Sequence, residues 1–123
     1  MADTDVPFNL LSTSQTPPRT YGAGDVIFDA GDPAAELYVI QSGTVEIRLA
    51  NRLLDTLPER SIFGEMALID GEPRSARAVA ATDVTPIPVS EKQFLFLVGQ
   101  TPHFALNVMR VLAKRLRAMN RQV

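Results

Sequence analysis

Cysteine is absent from this 123-residue chain, which excludes disulfides and thiolate metal sites and makes a reducing, cytoplasmic setting the default. Tryptophan is absent too, and there is one histidine, His103. It stands next to a proline at an apparent helix start, where a surface or first-turn residue is expected, not a base or a metal ligand. No apolar run approaches the roughly 18 to 20 residues that cross a bilayer, so no membrane span is expected. The opening MADTDVPFNLLSTSQTPP has acids and no basic leader ahead of its short apolar stretch, so it does not read as a secretory signal. Neither GxSxG nor a phosphate-binding GxxxxGKS or GxxxxGKT occurs. With no credible nucleophile or base, an enzyme is not expected. The last absence is of one charge sign. No acid follows Glu91, whereas Lys92 to Val123 holds six basic residues. They are dispersed at helical spacing, which suits a solvated helix face more than a nucleic-acid site. No helix-turn-helix is recognisable, so nucleic acid is not the expected partner.

What is present is an ordinary globular balance, 46% hydrophobic and 21% charged, of a length for one core. Residues 1–18 form a Ser-, Thr- and Pro-rich lead, in which Phe8, Leu10 and Leu11 could dock as a turn of helix. A domain over residues 19–123 follows. Short strands are expected at Asp25–Ala30, Glu36–Gln41, Thr44–Ala50, Arg52–Leu57, Ala76–Ala81 and Val84–Val89, punctuated by turns such as Ser42-Gly43. In Thr44–Ala50, Val45, Ile47 and Leu49 alternate with Glu46 and Arg48. Pro86 and Pro88 mark the last strand as an edge, because each removes a ladder donor. This spacing argues for a mainly β sandwich or roll, not βαβ units.

The period then changes. A short helix is expected from a Ser90 cap to Val98, stopped by Gly99. A second begins with Thr101 as cap and Pro102 at its first position. Phe104 to Arg121 reads as one long helix. Its seam of Ala105, Met109, Leu112, Leu116, Met119 and Val123 steps by four and three. Val108, Val111 and Ala113 add apolar surface beyond it. Two readings stand: the helix packs on its own domain alone, or it also pairs with a second copy.

The chemistry is concentrated in SIFGEMALIDGEPRSARAVA, residues 61–80. Gly64 permits close approach of backbone to a ligand. The turn after it starts with free amides, which favour an anion. Glu65 can accept from a sugar hydroxyl. Gly71 and Pro73 reverse the chain. Arg74 offers the paired donors that suit a phosphate, and Ser75 adds a hydroxyl and an amide. On the residues alone, Arg74 could instead pair with Glu65 or an acidic turn residue. Asp70 and Glu72 read as solvated turn formers.

This segment resembles the phosphate-binding cassette of cyclic nucleotide-binding domains. The carrying residues are Phe63-Gly64-Glu65-Met66-Ala67-Leu68 and Pro73-Arg74-Ser75-Ala76. The resemblance extends over roughly Arg19 to Gln122. It implies an eight-stranded β-roll (a double-stranded β-helix, jelly-roll-like) with a short cassette helix and two C-terminal helices. It implies that Glu65 holds the ribose 2′-hydroxyl, with Gly64, Met66 and Ala67 on the sugar side. Arg74, Ser75 and the Ala76 amide would hold the cyclic phosphate, and Arg115, Met119 and Asn120 would belong to a lid over the base. Cyclic AMP is the implied first ligand. Ser75 stands where a hydroxyl residue accompanies tolerance of cyclic GMP. The implied mechanism couples ligand to movement of the last helix about Gly99, read by a protein effector or a second copy. One departure is Arg77, a charge where the family usually has an uncharged residue.

Overall fold

The computed structural model describes the backbone of residues 19–120 and side chains as far as Ala118. The expected lead over residues 1–18 lies outside the described residues. Seven strands and three helices follow in order. They are β1 (Val26–Phe28), β2 (Glu36–Ser42), β3 (Val45–Leu49), β4 (Arg52–Leu57), β5 (Ile62–Phe63), α1 (Glu65–Asp70), β6 (Arg77–Ala80), β7 (Thr85–Ser90), α2 (Glu91–Gln100) and α3 (Pro102–Asn120). The strands form two antiparallel sheets, ordered β1-β6-β3-β4 and β5-β2-β7.

β2 explains the layering. Alternate residues on a strand point to opposite faces. Leu37 and Val39 pack toward the helices, with Ile62, Ile87, Val89, Leu97, Phe104 and Val108. Tyr38 and Ile40 pack toward the other sheet, with Val45, Leu57, Phe63, Ala78, Ala80 and Val84. A strand covered on both sides reads as a continuous apolar run, which is what Leu37-Tyr38-Val39-Ile40 is. Burying each such side chain contributes about 1.5–3 kcal/mol. The molecule is thus three layers: sheet, sheet, helices.

Several sequence expectations are corrected. The eighth strand is missing among the described residues. In its place is a single bridge between Tyr21 and Val84. The two-residue β5 was not foreseen, being too short to display a period. Leu49 is exposed, because the β3–β4 hairpin leaves the body before its tip. β7 is an edge, paired with β2 alone, so Pro86 and Pro88 leave no ladder donor wanting.

Ser90 caps α2 in a reciprocal capping box with Gln93. Gly99, however, does not stop that helix, which runs on to Gln100. A helical glycine costs only about 1 kcal/mol, whereas Pro102 disfavours helical backbone at the residue before it. Thr101 accordingly sits at φ −137°, ψ 82°. Its hydroxyl does not serve as the start cap of α3 but donates back to Leu97 O at 2.8 Å, closing α2. His103 is exposed in the first turn of α3. None of the described helices is long and apolar enough to cross a membrane.

The inward stripe of α3 is Phe104, Val108 and Val111, all buried. The expected seam lies one position round. Met109 and Leu116 are 56% and 58% exposed, and Ala105 and Leu112 are half-buried. The helix therefore has one face on the body and a second apolar stripe that the body covers only in part, at Ala105 and Leu112, leaving Met109 and Leu116 open.

Candidate functional site

The site is assembled where β5 runs into α1. Gly64 takes φ 77°, ψ 12°, in the left-handed region that glycine adopts freely. A Cβ there would lie 2.6 Å from Arg74 Nη1, so any larger residue would push the guanidinium aside. The Gly64 carbonyl accepts a hydrogen bond from Arg74 Nη1 at 2.9 Å. Nη2 donates to the Glu36 carbonyl at 2.8 Å. The Phe28 ring lies beneath the guanidinium, 4.2 Å from its centre to the ring centroid, and Tyr38 lies 5.6 Å away. The main chain of Arg74 is pinned too. Its N–H donates to Asp32 O at 2.9 Å, and its carbonyl accepts from Gly31 N at 2.8 Å.

Arg74 is only 6% exposed. Burial pushes its guanidinium below the ordinary value, yet an arginine remains charged at any working pH. Among the described residues no carboxylate pairs with it. The arrangement is therefore a buried cation held by neutral groups. Two of its five N–H donors are fixed by carbonyls, which leaves its remaining donors at a fixed aim. Such a group suits an anion with several oxygens.

Glu65, the first residue of α1, is 3% exposed and carries the complementary charge. Its partner is not Arg74 but Arg115, whose Nη1 donates to Glu65 Oε1. Arg115 Nη2 donates to Ile62 O at 2.6 Å. Arg115 continues the inward stripe of α3 by four residues from Val111. A stripe that is apolar for two turns thus ends in a guanidinium where it meets the buried carboxylate. This disposes of the local alternative in which Arg74 pairs with Glu65 or an acidic turn residue. Arg115, expected among lid residues, meets the cassette itself. The side chains of Met119 and Asn120 lie outside the described residues.

The other expected residues divide. Met66 is exposed, whereas Ala67 points into the body and its carbonyl accepts from Gly71 N at 2.9 Å. Ser75 is exposed and Ala76 half-buried. Among the described residues, neither of their amides makes a hydrogen bond within the backbone. Asp70 and Glu72 are exposed turn formers, with Asp70 Oδ1 accepting from Glu72 N at 2.9 Å. Arg77 points outward and pairs with Asp29. No group of three His, Asp or Glu among the described residues is placed to hold a metal.

Three contributors were not foreseen from sequence: the Glu36 carbonyl, the Phe28 ring and Tyr38. The Tyr38 hydroxyl donates to Glu36 Oε1 at 2.8 Å, and burial, then that bond, pushes it up to about 12. Their only signal is strand register, which brings β1 and β2 to the cassette from 36 to 46 residues upstream of Arg74.

The chain is similar to known proteins over most of its length. Residues 18–101 match the family profile described as cyclic nucleotide-binding domain. The chain is 32% identical over 113 residues to the CRP-like cAMP-activated global transcriptional regulator of Mycobacterium tuberculosis, covering 88% of this chain and 50% of that protein. The crystal structure of Thermus thermophilus catabolite activator protein superposes with a TM-score of 0.81 at 34% identity, over 95% of this chain and 58% of that one. The cAMP-bound form of the EAL enzyme Bd1971 superposes with a TM-score of 0.64 at 38% identity, over 85% of this chain and 29% of that one. A cGMP-bound form of the same enzyme is similar as well. The chain spans about half the length of the curated relatives it matches.

Proposed function

The chain belongs to the cyclic nucleotide-binding domain family, and on that premise we propose that it binds a cyclic nucleoside monophosphate, cyclic AMP ahead of cyclic GMP, through Gly64 to Ala76. The observation that carries this reading is Arg74, a buried cation with no carboxylate partner among the described residues. In this reading its free donors take the cyclic phosphate. The Ser75 hydroxyl and the amides of Ser75 and Ala76 complete the cradle. A single arginine suits one phosphate better than two, which favours a mononucleotide over a dinucleotide messenger. The preference for cyclic AMP rests on relatives whose names carry it.

Glu65 supplies the acceptor for the ribose 2′-hydroxyl, with the backbone of Gly64, Met66 and Ala67 on the sugar side. Arg115 already holds Oε1, so the sugar uses Oε2 and meets the last helix at the same carboxylate. A ligand moves a helix only by binding one arrangement better than another. Here the shared group is Glu65, and the helix that responds is α3. We infer a regulatory role, not an enzymatic one, since every role at the site is one of binding. A protein effector, or a second copy seated on Met109 and Leu116, would read the helix. A ligand-free interaction module using that stripe is the second reading, favoured by the exposure of those two side chains.

Calorimetric titration with cyclic AMP and cyclic GMP separates the two. Binding at micromolar concentration or tighter is expected, weakened at least about a hundredfold in Arg74→Ala. No heat at millimolar nucleotide with the folded wild type overturns the sensor reading and leaves the interaction module.

A further inference from the structure

The ladder between β1 and β6 is interrupted beside the cassette. It pairs Val26 with Val79 and Phe28 with Ala78, through a bulge, and then stops. It resumes beyond a turn, where Gly31 N donates to Arg74 O and Arg74 N donates to Asp32 O. Ser75 and Ala76 arch across the gap. On the other side, residues 29–32 close a turn in which Asp32 Oδ2 accepts from Asp29 N at 2.9 Å and Asp29 O accepts from Asp32 N at 3.1 Å. One connection spans the gap at its far end. Arg77 Nε and Nη2 donate to the two Asp29 carboxylate oxygens at 3.0 and 3.1 Å. Such a two-point bond fixes orientation as well as distance, which a single ammonium cannot do.

We propose that Arg77 and Asp29 are positioning residues for the anion cradle: their bidentate pair braces the arch Ser75–Ala76 from one end as the Arg74 backbone bonds do from the other. The arch is then a two-residue span clamped at both feet, with its amides turned to no backbone partner. Arg77 also neutralises Asp29, which would otherwise stand as an uncompensated anion beside a cradle for anions. Arg77 holds the Asp29 carboxyl below its ordinary range, so the pair persists wherever that carboxylate is ionised. Both side chains are 47% exposed, so the brace acts locally and the core does not depend on it.

The nucleotide part of this inference rests on the reading of the cassette given above; the bracing itself does not. Two measurements on the full chain keep them apart. The first is amide hydrogen exchange of the unliganded protein. In Arg77→Ala, the amides of Gly31 and Arg74 are expected to exchange several-fold faster while the helices keep wild-type protection. Unchanged exchange at both amides overturns the brace, whether or not any nucleotide binds. The second is affinity for cyclic AMP. Arg77→Ala is expected to weaken it by about three- to fivefold, the scale of an exposed pair. Asp29→Asn is expected to weaken it less, since it leaves no unpaired anion, and Arg77→Lys to recover part of the loss. Equal affinity in Arg77→Ala and wild type, with faster exchange, overturns the positioning role. A wild type that binds no cyclic nucleotide sinks the sensor reading alone, and the exchange result still decides the brace.

Discussion

Two arginines are drawn toward the interior of this protein, and they are satisfied in opposite ways. Arg115 on α3 meets a buried acid and a carbonyl. Arg74, in the loop before β6, meets two carbonyls and a ring, and no acid among the described residues. An ion pair completed inside the chain closes a structure. A cation solvated by neutral dipoles keeps its charge for something else. The difference separates the group that ties the last helix to α1 from the group proposed to meet an anion.

The sharpest way to break this contrast is to replace each guanidinium by an apolar chain of similar length. Arg115→Met strands Glu65 as a buried, unpaired charge. It is expected to cost about 2 kcal/mol in chemical denaturation, below the roughly 3–5 kcal/mol of a fully buried pair because Arg115 is partly exposed. Arg74→Met strands no charge and is expected to stay within about 1 kcal/mol of wild type while losing nucleotide binding. Equal losses of stability from the two would erase the distinction. A smaller effect comes from Gly64→Ala. The left-handed backbone then costs roughly 1–2 kcal/mol, and the new Cβ displaces Arg74 Nη1. Thermal unfolding should register the first, and a loss of affinity larger than the loss of stability the second.

The smallest effect is a titration. Tyr38 has its hydroxyl pushed from near 10 to about 12 by burial and its bond to Glu36, whereas the neighbouring Arg74 charge draws it down. Because the folded value is the higher, this group contributes stability that is intact below pH 10 and disappears as pH climbs through about 12. In a Tyr21→Phe background, ultraviolet titration reads Tyr38 alone. Arg74→Met should move its midpoint further up. A downward shift would mean that Arg74 does not act on Tyr38 as a charge.

What could be read from the sequence follows distance along the chain. Phe63 to Leu68 and Pro73 to Ala76 lie within 14 residues, so their motif marks the candidate site without any knowledge of folding. The capping box of Ser90 with Gln93 is equally local. Arg115 on Glu65 joins residues 50 apart, and Arg77 on Asp29 joins residues 48 apart. Helical spacing reveals that α3 has an apolar face but not which of two adjacent stripes the body takes. The seam at Met109 and Leu116 was the more regular pattern, yet Phe104, Val108 and Val111 are what the body covers. Gly99 misled because glycine is a weak helix breaker and Pro102, three residues on, is a strong one.

The inward stripe of α3 also sets its mechanics. Phe104 near one end is fixed in the core and Arg115 is bolted to Glu65, so the helix can neither spin about its axis nor slide along it without losing both attachments. At 1.5 Å per residue these anchors stand about 16 Å apart. In the proposed coupling, a stiff rod with its pivot near Thr101 would be left one easy motion, a swing. Each 10° of swing carries the far end, about 27 Å from the pivot, through roughly 5 Å. Arg115 stands about 20 Å from that pivot, so in the proposed coupling a shift that follows Glu65 would reach the tip of the rod about 1.4 times as large.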